Sequence, residues 1–114
     1  MKREIMSKTD TVSNGDPTYL KLLDDMKALH IKKNMGYSGK SRDRWANFRM
    51  SESFGVPAYL GALVRASDKW IRITNLIKDS DLDQVGEPVE DTLMDLASYC
   101  LIVICLLREA KEWE

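Results

Sequence analysis

Cys100-Leu101-Ile102-Val103-Ile104-Cys105-Leu106-Leu107 is the longest uninterrupted apolar run in the chain, and its reading decides the fold class. Eight residues fall far short of the about 20 that a membrane-crossing helix needs. Wound as a helix, the run is apolar around its whole circumference, so every face of those two turns needs cover. One way to supply it is a fully buried central helix. The other is a homo-oligomeric bundle in which copies of the chain cover one another, and a chain of 114 residues with few other helices favours that solution.

The run sits in a periodic segment expected to open at Pro88 and to end near Glu112. Proline suits a first helical position, and Glu90 and Asp91 suit the positive end of the helix dipole. Before it, 79–87 reads as an acidic connection. Leu60, Leu63, Val64, Trp70, Ile71, Leu76 and Ile77 then define a second helix from about Pro57 to Lys78. Further back, Asp16-Pro17 reads as an N-cap and first helical residue. Tyr19, Leu22, Leu23, Met26 and Leu29 continue that first helix to about Lys33, where Gly36 and Gly39 are expected to stop it. No stretch alternates long enough to predict a strand. The expected fold is all-α, three main helices packing as an oligomeric bundle, with a loose polar arm over 1–16 and a single domain over 17–114.

Composition narrows the function classes. Hydrophobic residues at 44% and charged residues at 31% suit a globular protein, and 17 basic against 18 acidic residues exclude a bulk polycation. No apolar stretch near Met1 resembles a signal peptide, so a cytoplasmic protein with no membrane partner is expected. Cys100 and Cys105 project about 140° apart on a helix and cannot pair within it. They read as small reduced core residues, and with one histidine they cannot complete a zinc site.

The near-neutral total hides local polarity. Residues 36–50 hold Lys40, Arg42, Arg44 and Arg49 against Asp43, a net +3, and 57–78 hold Arg65, Lys69, Arg72 and Lys78 against Asp68, again +3. Residues 79–95 hold seven acids and no Lys or Arg. Within them Glu87, Asp91 and Asp95 recur every fourth residue and fall on one helical stripe, where like charges repel unless something neutralises them. Two neutralisers fit. Mg²⁺ or Mn²⁺ prefers such hard carboxylate oxygens, and the stripe Arg65, Asp68, Lys69 and Arg72 could instead form ion pairs with them.

The central loop, Lys32 to Gly39 and then Arg42 to Arg49, reads either as a ligand loop or as a structural loop pinned by its aromatics. As a ligand loop, its cations contact phosphates and its glycines admit the backbone closely. Tyr37, Trp45 or Phe48 can stack on a base whose edge Asn47 reads. Long nucleic acid ranks below a small nucleotide, because the acidic segment interrupts any continuous positive groove.

Four blocks occur in order: Lys33-Asn34-x-x-Tyr37-x-Gly39, Trp45-Ala46-Asn47-Phe48, Arg65-x-x-Asp68-Lys69-x-x-Arg72-x-x-Asn75-Leu76, and Glu87-Pro88-Val89-Glu90-Asp91-Thr92-Leu93-x-Asp95-Leu96-Ala97-x-Tyr99. Together they resemble the phage and bacterial "nucleotide modification associated domain 1" proteins, which look distantly similar to the MazG-like all-α nucleoside triphosphate pyrophosphohydrolases. The resemblance spans about Leu29 to Leu107. It implies an oligomeric nucleotide-handling protein, with a phage source and the host cytoplasm as its location. Carried over by position, Asp68, Glu87, Asp91 and Asp95 would hold magnesium, with Asp68 and Asp91 catalytic. Lys33, Arg65, Lys69 and Arg72 would meet phosphates, and Asn34, Tyr37, Trp45 and Asn47 would surround the base. The second helix carries the single acid Asp68 where the pyrophosphohydrolases carry a pair. The first expectation is therefore a Mg-dependent (deoxy)nucleoside triphosphate pyrophosphohydrolase. Its alternatives are a non-catalytic binder that sequesters a linear or cyclic nucleotide signal, and a helical interaction module.

Overall fold

Asp16 caps the first helix, α1 (Pro17–Tyr37). Its Oδ2 accepts the Tyr19 N–H at 2.9 Å, which satisfies one of the orphan donors at a helix start, and its carbonyl accepts the Leu20 N–H at 3.0 Å as the first bond of the helix. The computed structural model describes residues 14–37, 43–79 and 82–112, with backbone alone for 35–37, 79, 82–87 and 112. Most of the expected arm, 1–13, lies outside the described residues, as does Gly39. The helix runs four residues past the expected end at Lys33, straight through Gly36. A lone glycine costs a helix interior only about 1 kcal/mol against alanine, too little to end it.

The chain divides into two compact units, 1–33 and 34–114. In the first, α1 carries a surface ion pair between Lys21 and Asp25, one turn apart. Tyr19, Leu20, Leu22, Leu23 and Ile31 are exposed on it.

In the second unit, a turn over 43–48 leads into a 3-10 helix (Arg49–Phe54), then α2 (Ala58–Asp79) and α3 (Leu82–Glu112). All elements are helical, with no strand among the described residues. Gly55 ends the 3-10 helix at φ 76°, a left-handed backbone that glycine adopts without strain, and its N–H returns to the Glu52 carbonyl. Pro57 then starts α2, its carbonyl accepting the Leu60 and Gly61 N–H groups. A Cβ at Gly61 would stand 2.7 Å from Ser51 Oγ and 2.9 Å from Ser51 Cβ, so only glycine lets this turn lie against α2.

The expected acidic connection over 79–87 is corrected. α2 reaches Asp79 and α3 begins at Leu82, so Pro88 lies inside α3 instead of opening it. Proline removes one backbone hydrogen bond and crowds the carbonyl four residues before it, at about 3 kcal/mol, a cost the long packed helix downstream must offset. The Thr92 hydroxyl, on a buried residue, donates to the Pro88 carbonyl at 2.7 Å, which satisfies that buried hydroxyl.

α2 and α3 run antiparallel. Ala58 shares a buried cluster with Leu106, and eleven residues on Lys69 meets Asp95, eleven residues back. Ala58, Ala62 and Ala66 recur every fourth residue and are buried, a row small enough to let α3 approach closely. Trp45, Phe48, Tyr59, Ile102 and Val103 pack around Ala58, Ala62 and Leu106, and Ile73 is buried farther along α2. The core is thin. No large side chain is fully buried among the described residues. Leu60, Leu63, Val64, Trp70, Ile71 and Ile77 stay exposed on α2, as do Leu93, Leu101, Ile104 and Leu107 on α3. Much of the all-apolar run is therefore uncovered within one chain, and Cys100 and Cys105, expected in the core, are exposed because they lie on its uncovered faces. No helix of the described residues is long and apolar enough to cross a membrane.

Candidate functional site

The turn over 43–48 is held by its first residue. Asp43 Oδ1 accepts the Trp45 N–H at 3.0 Å, an aspartate-closed turn that leads into the Trp45-Ala46-Asn47-Phe48 block. The Trp45 and Phe48 rings meet edge to face with centroids 6.2 Å apart, and Phe48 meets Tyr99 of α3 the same way at 6.1 Å. Arg65 projects from α2 over the Phe48 ring, its Cζ 4.7 Å from the centroid, and its Nη2 donates to the Asn47 carbonyl at 3.3 Å. The loop is thus pinned by its aromatics and also joined to the cationic row of α2.

One turn along each helix, Lys69 Nζ stands 3.3 Å from Asp95 Oδ2. A strip of chemistry follows: Trp45, Phe48 with Arg65 and Tyr99, then Lys69 with Asp95. Asp68 and Arg72 of α2 and Asp91 of α3 are exposed within a turn of that pair. The side chain of Asn47 is exposed beside the aromatic cluster. The cation shown against an α3 carboxylate is Lys69 of α2, at Asp95.

Other expected residues are placed differently. Lys33, exposed, lies on α1 in the first unit, and Asn34, half-buried, begins the second. The side chains of Tyr37 and Glu87 lie outside the described ones. Among the described residues no three of His, Cys, Asp and Glu come together as a metal site, and Lys69 holds Asp95.

Sequence reasoning gave Arg49 a phosphate role in the loop and missed its structural one. Its guanidinium binds both oxygens of Asp43, reaches Glu109 of α3, and lies 3.6 Å from Glu52. Its hydrogen bond to Asp43 first, and then Glu109, raise the Arg49 pKa further above an already high value, against the effect of burial. In return the Arg49 hydrogen bond, opposed by burial and helped by the Trp45 N–H, holds the Asp43 carboxyl below its ordinary value. The partners lie up to 60 residues apart in sequence, so no spacing could have signalled them. Beside this hub a cleft of about 360 Å³ is lined by Arg49, Glu52, Tyr59, Leu106 and Glu109 among others.

Comparison of the chain with known protein families, with curated proteins and with solved structures finds no match.

Proposed function

We propose that this chain is a nucleotide-binding protein whose phosphate ligands are Arg65, Lys69 and Arg72, with Trp45 and Asn47 beside the base. The observation that supports it is the Lys69–Asp95 pair one turn from Arg65. There, cations and aromatic edges share one side of the α2–α3 pair. Arg65 spends one Nη on the Asn47 carbonyl and leaves the rest of its donor fork for an anion. A phosphate arriving at Lys69 takes the place of Asp95. The resemblance to nucleotide modification associated domain 1 adds Asn34 and Tyr37 to the base side in this reading.

Binding without cleavage is one form of this reading, and it rests on the cations Arg65 and Lys69 and the aromatic edges beside them. The hydrolytic form needs Mg²⁺ or Mn²⁺ held by Asp68, Asp91 and Asp95 together with Glu87, with release of pyrophosphate from a triphosphate. Purified protein incubated with each ribo- and deoxynucleoside triphosphate, and with cyclic nucleotides, with and without Mg²⁺, separates the forms. A thermal shift with the nucleotide recovered intact supports binding, and recovered monophosphate supports hydrolysis. Folded protein that neither shifts nor turns over any nucleotide overturns both.

A second reading, a helical module that works by association with other chains, is favoured by a separate observation. Ten large apolar side chains stay exposed along α2 and α3.

A further inference from the structure

Trp45 is held through both of its peptide groups. Its N–H donates to Asp43 Oδ1 at 3.0 Å, and its carbonyl accepts the Phe48 N–H at 2.9 Å and the Arg49 N–H at 3.2 Å. The residues that grip it from either side are bound to each other. Arg49 Nε donates to Asp43 Oδ2, and Arg49 Nη2 lies 3.4 Å from Asp43 Oδ1. The same Nη2 donates to Glu109 of α3. A planar guanidinium with its donors in a rigid fork passes on an orientation as well as a charge. Phe48 gives the turn a second anchor on α3, against Tyr99. Glu109 lies ten residues beyond Tyr99, about 15 Å along the helix, so the two anchors are well separated. Trp45 is only half-buried, so the orientation of its ring depends on the backbone that carries it as well as on packing.

Resting on the nucleotide reading above, we propose that Asp43, Arg49 and Glu109 are positioning residues that hold the Trp45 ring where a base stacks beside the Arg65 phosphate site. The three act through the backbone of Trp45 and do not touch the ligand. Two observations support this role. First, a strap that only joined the loop to α3 would need the Arg49–Glu109 contact alone. Here the same guanidinium also orients the carboxylate that closes the turn at Trp45. Second, Phe48 stands between the base platform and the first phosphate cation, its ring centroid 6.2 Å from that of Trp45 and 4.7 Å from Arg65 Cζ. A shift of the Trp45 ring therefore changes the spacing from base to phosphate. Stacking of one base on an aromatic ring strengthens binding by roughly fivefold to more than a hundredfold. A ring that must first be ordered loses part of that gain.

The test titrates the full chain, without divalent metal, with each ribonucleoside triphosphate and with inorganic tripolyphosphate, which has the phosphate chain and no base. Glu109→Leu removes the acceptor on α3, Asp43→Ala removes the closure of the turn, and Glu109→Gln keeps an acceptor for Arg49. Glu109→Leu and Asp43→Ala are expected to weaken the best-bound nucleotide by at least about fivefold. Tripolyphosphate binding changes by no more than about twofold, since its cations lie on α2. Glu109→Gln recovers most of the nucleotide affinity. The ring itself is followed without ligand by fluorine NMR of fluorotryptophan-labelled protein, with the Trp45 line assigned by Trp45→Phe. In Glu109→Leu the Trp45 line shifts or broadens, while that of Trp70, exposed on α2, stays in place. Should Glu109→Leu fail to fold, Asp43→Ala is read in the same way. Equal weakening of nucleotide and tripolyphosphate, nucleotide affinity unchanged in the folded variants, or an unmoved Trp45 line overturns the proposal. An unaltered chain that binds no nucleotide overturns the nucleotide reading and the base role with it, and the Trp45 line then still decides whether the strap fixes the ring.

Discussion

Lys69 Nζ lies 3.3 Å from Asp95 Oδ2, an ion pair that joins α2 to α3 with each side chain about seven-tenths buried. Sequence periodicity put both residues on stripes that needed neutralising, and left open whether a metal or a basic partner did so. Within one chain Lys69 is a partner of Asp95. The pair also gives the proposed site its competition, since a phosphate and Asp95 seek the same ammonium group.

Replacing Asp95 therefore separates binding from hydrolysis. Asp95→Asn keeps the shape and removes the competing charge, so a binder gains phosphate affinity, by about three- to tenfold in a calorimetric titration. In a metal-dependent hydrolase the same change removes metal-stimulated turnover. The variant loses about 1 kcal/mol of stability, the worth of a partly exposed ion pair.

Arg49 is the strap between the loop and α3. Arg49→Leu leaves Glu109 and Asp43 without their guanidinium, and the side chains are about a third exposed, so water softens the loss. The expected cost is about 1–2 kcal/mol, read as a lower urea midpoint with an unchanged slope. A midpoint equal to that of the unaltered protein would show that the strap contributes nothing.

Stability should fall in acid partly through Asp43. Its folded-state pKa is depressed below the ordinary 3.8, first of all by its hydrogen bond with Arg49. A depressed carboxyl contributes stability that is fully present above 3.8 and lost as pH falls through the lower folded value. Asp43→Asn should be less stable than the unaltered protein at neutral pH, with the gap closing as pH drops below 3.8. Urea midpoints measured across pH check this, and a gap that widens in acid contradicts it.

Gly61 is expected to tolerate no side chain. Gly61→Ala forces its methyl against Ser51 Oγ and Cβ, with a cost of about 1–3 kcal/mol from overpacking. Ser51→Gly in the same chain removes both obstructing atoms and recovers part of that loss. A double-mutant cycle with no coupling would place the strain elsewhere.

What could be read from the chain alone follows from the range of each interaction. Asp16 and Pro17 announce a helix start because capping is local, and the apolar periods of α2 and α3 announce themselves within a few turns. Gly36 and Pro88 misled because their costs are local while the helices that absorb them are long. The Arg49–Glu109 contact was invisible, since nothing in either neighbourhood refers to the other. Arg65 and Lys69 stood out as a cationic stripe, but their choice of partner, the Phe48 ring and Asp95, is a product of packing α2 against α3. The exposed apolar residues of α3 were foreshadowed by its all-apolar run, whose outward residues find no cover in one chain.

The most direct test is a calorimetric titration of the full chain with nucleoside mono-, di- and triphosphates, paired with the same titration of Arg65→Ala. Arg65 touches both the loop and the cationic row, so the expected result is saturable binding that strengthens with each phosphate and weakens by at least about tenfold in the variant. Folded protein that gives no heat with any of these nucleotides, or Arg65→Ala binding as tightly as the unaltered chain, would contradict the nucleotide reading.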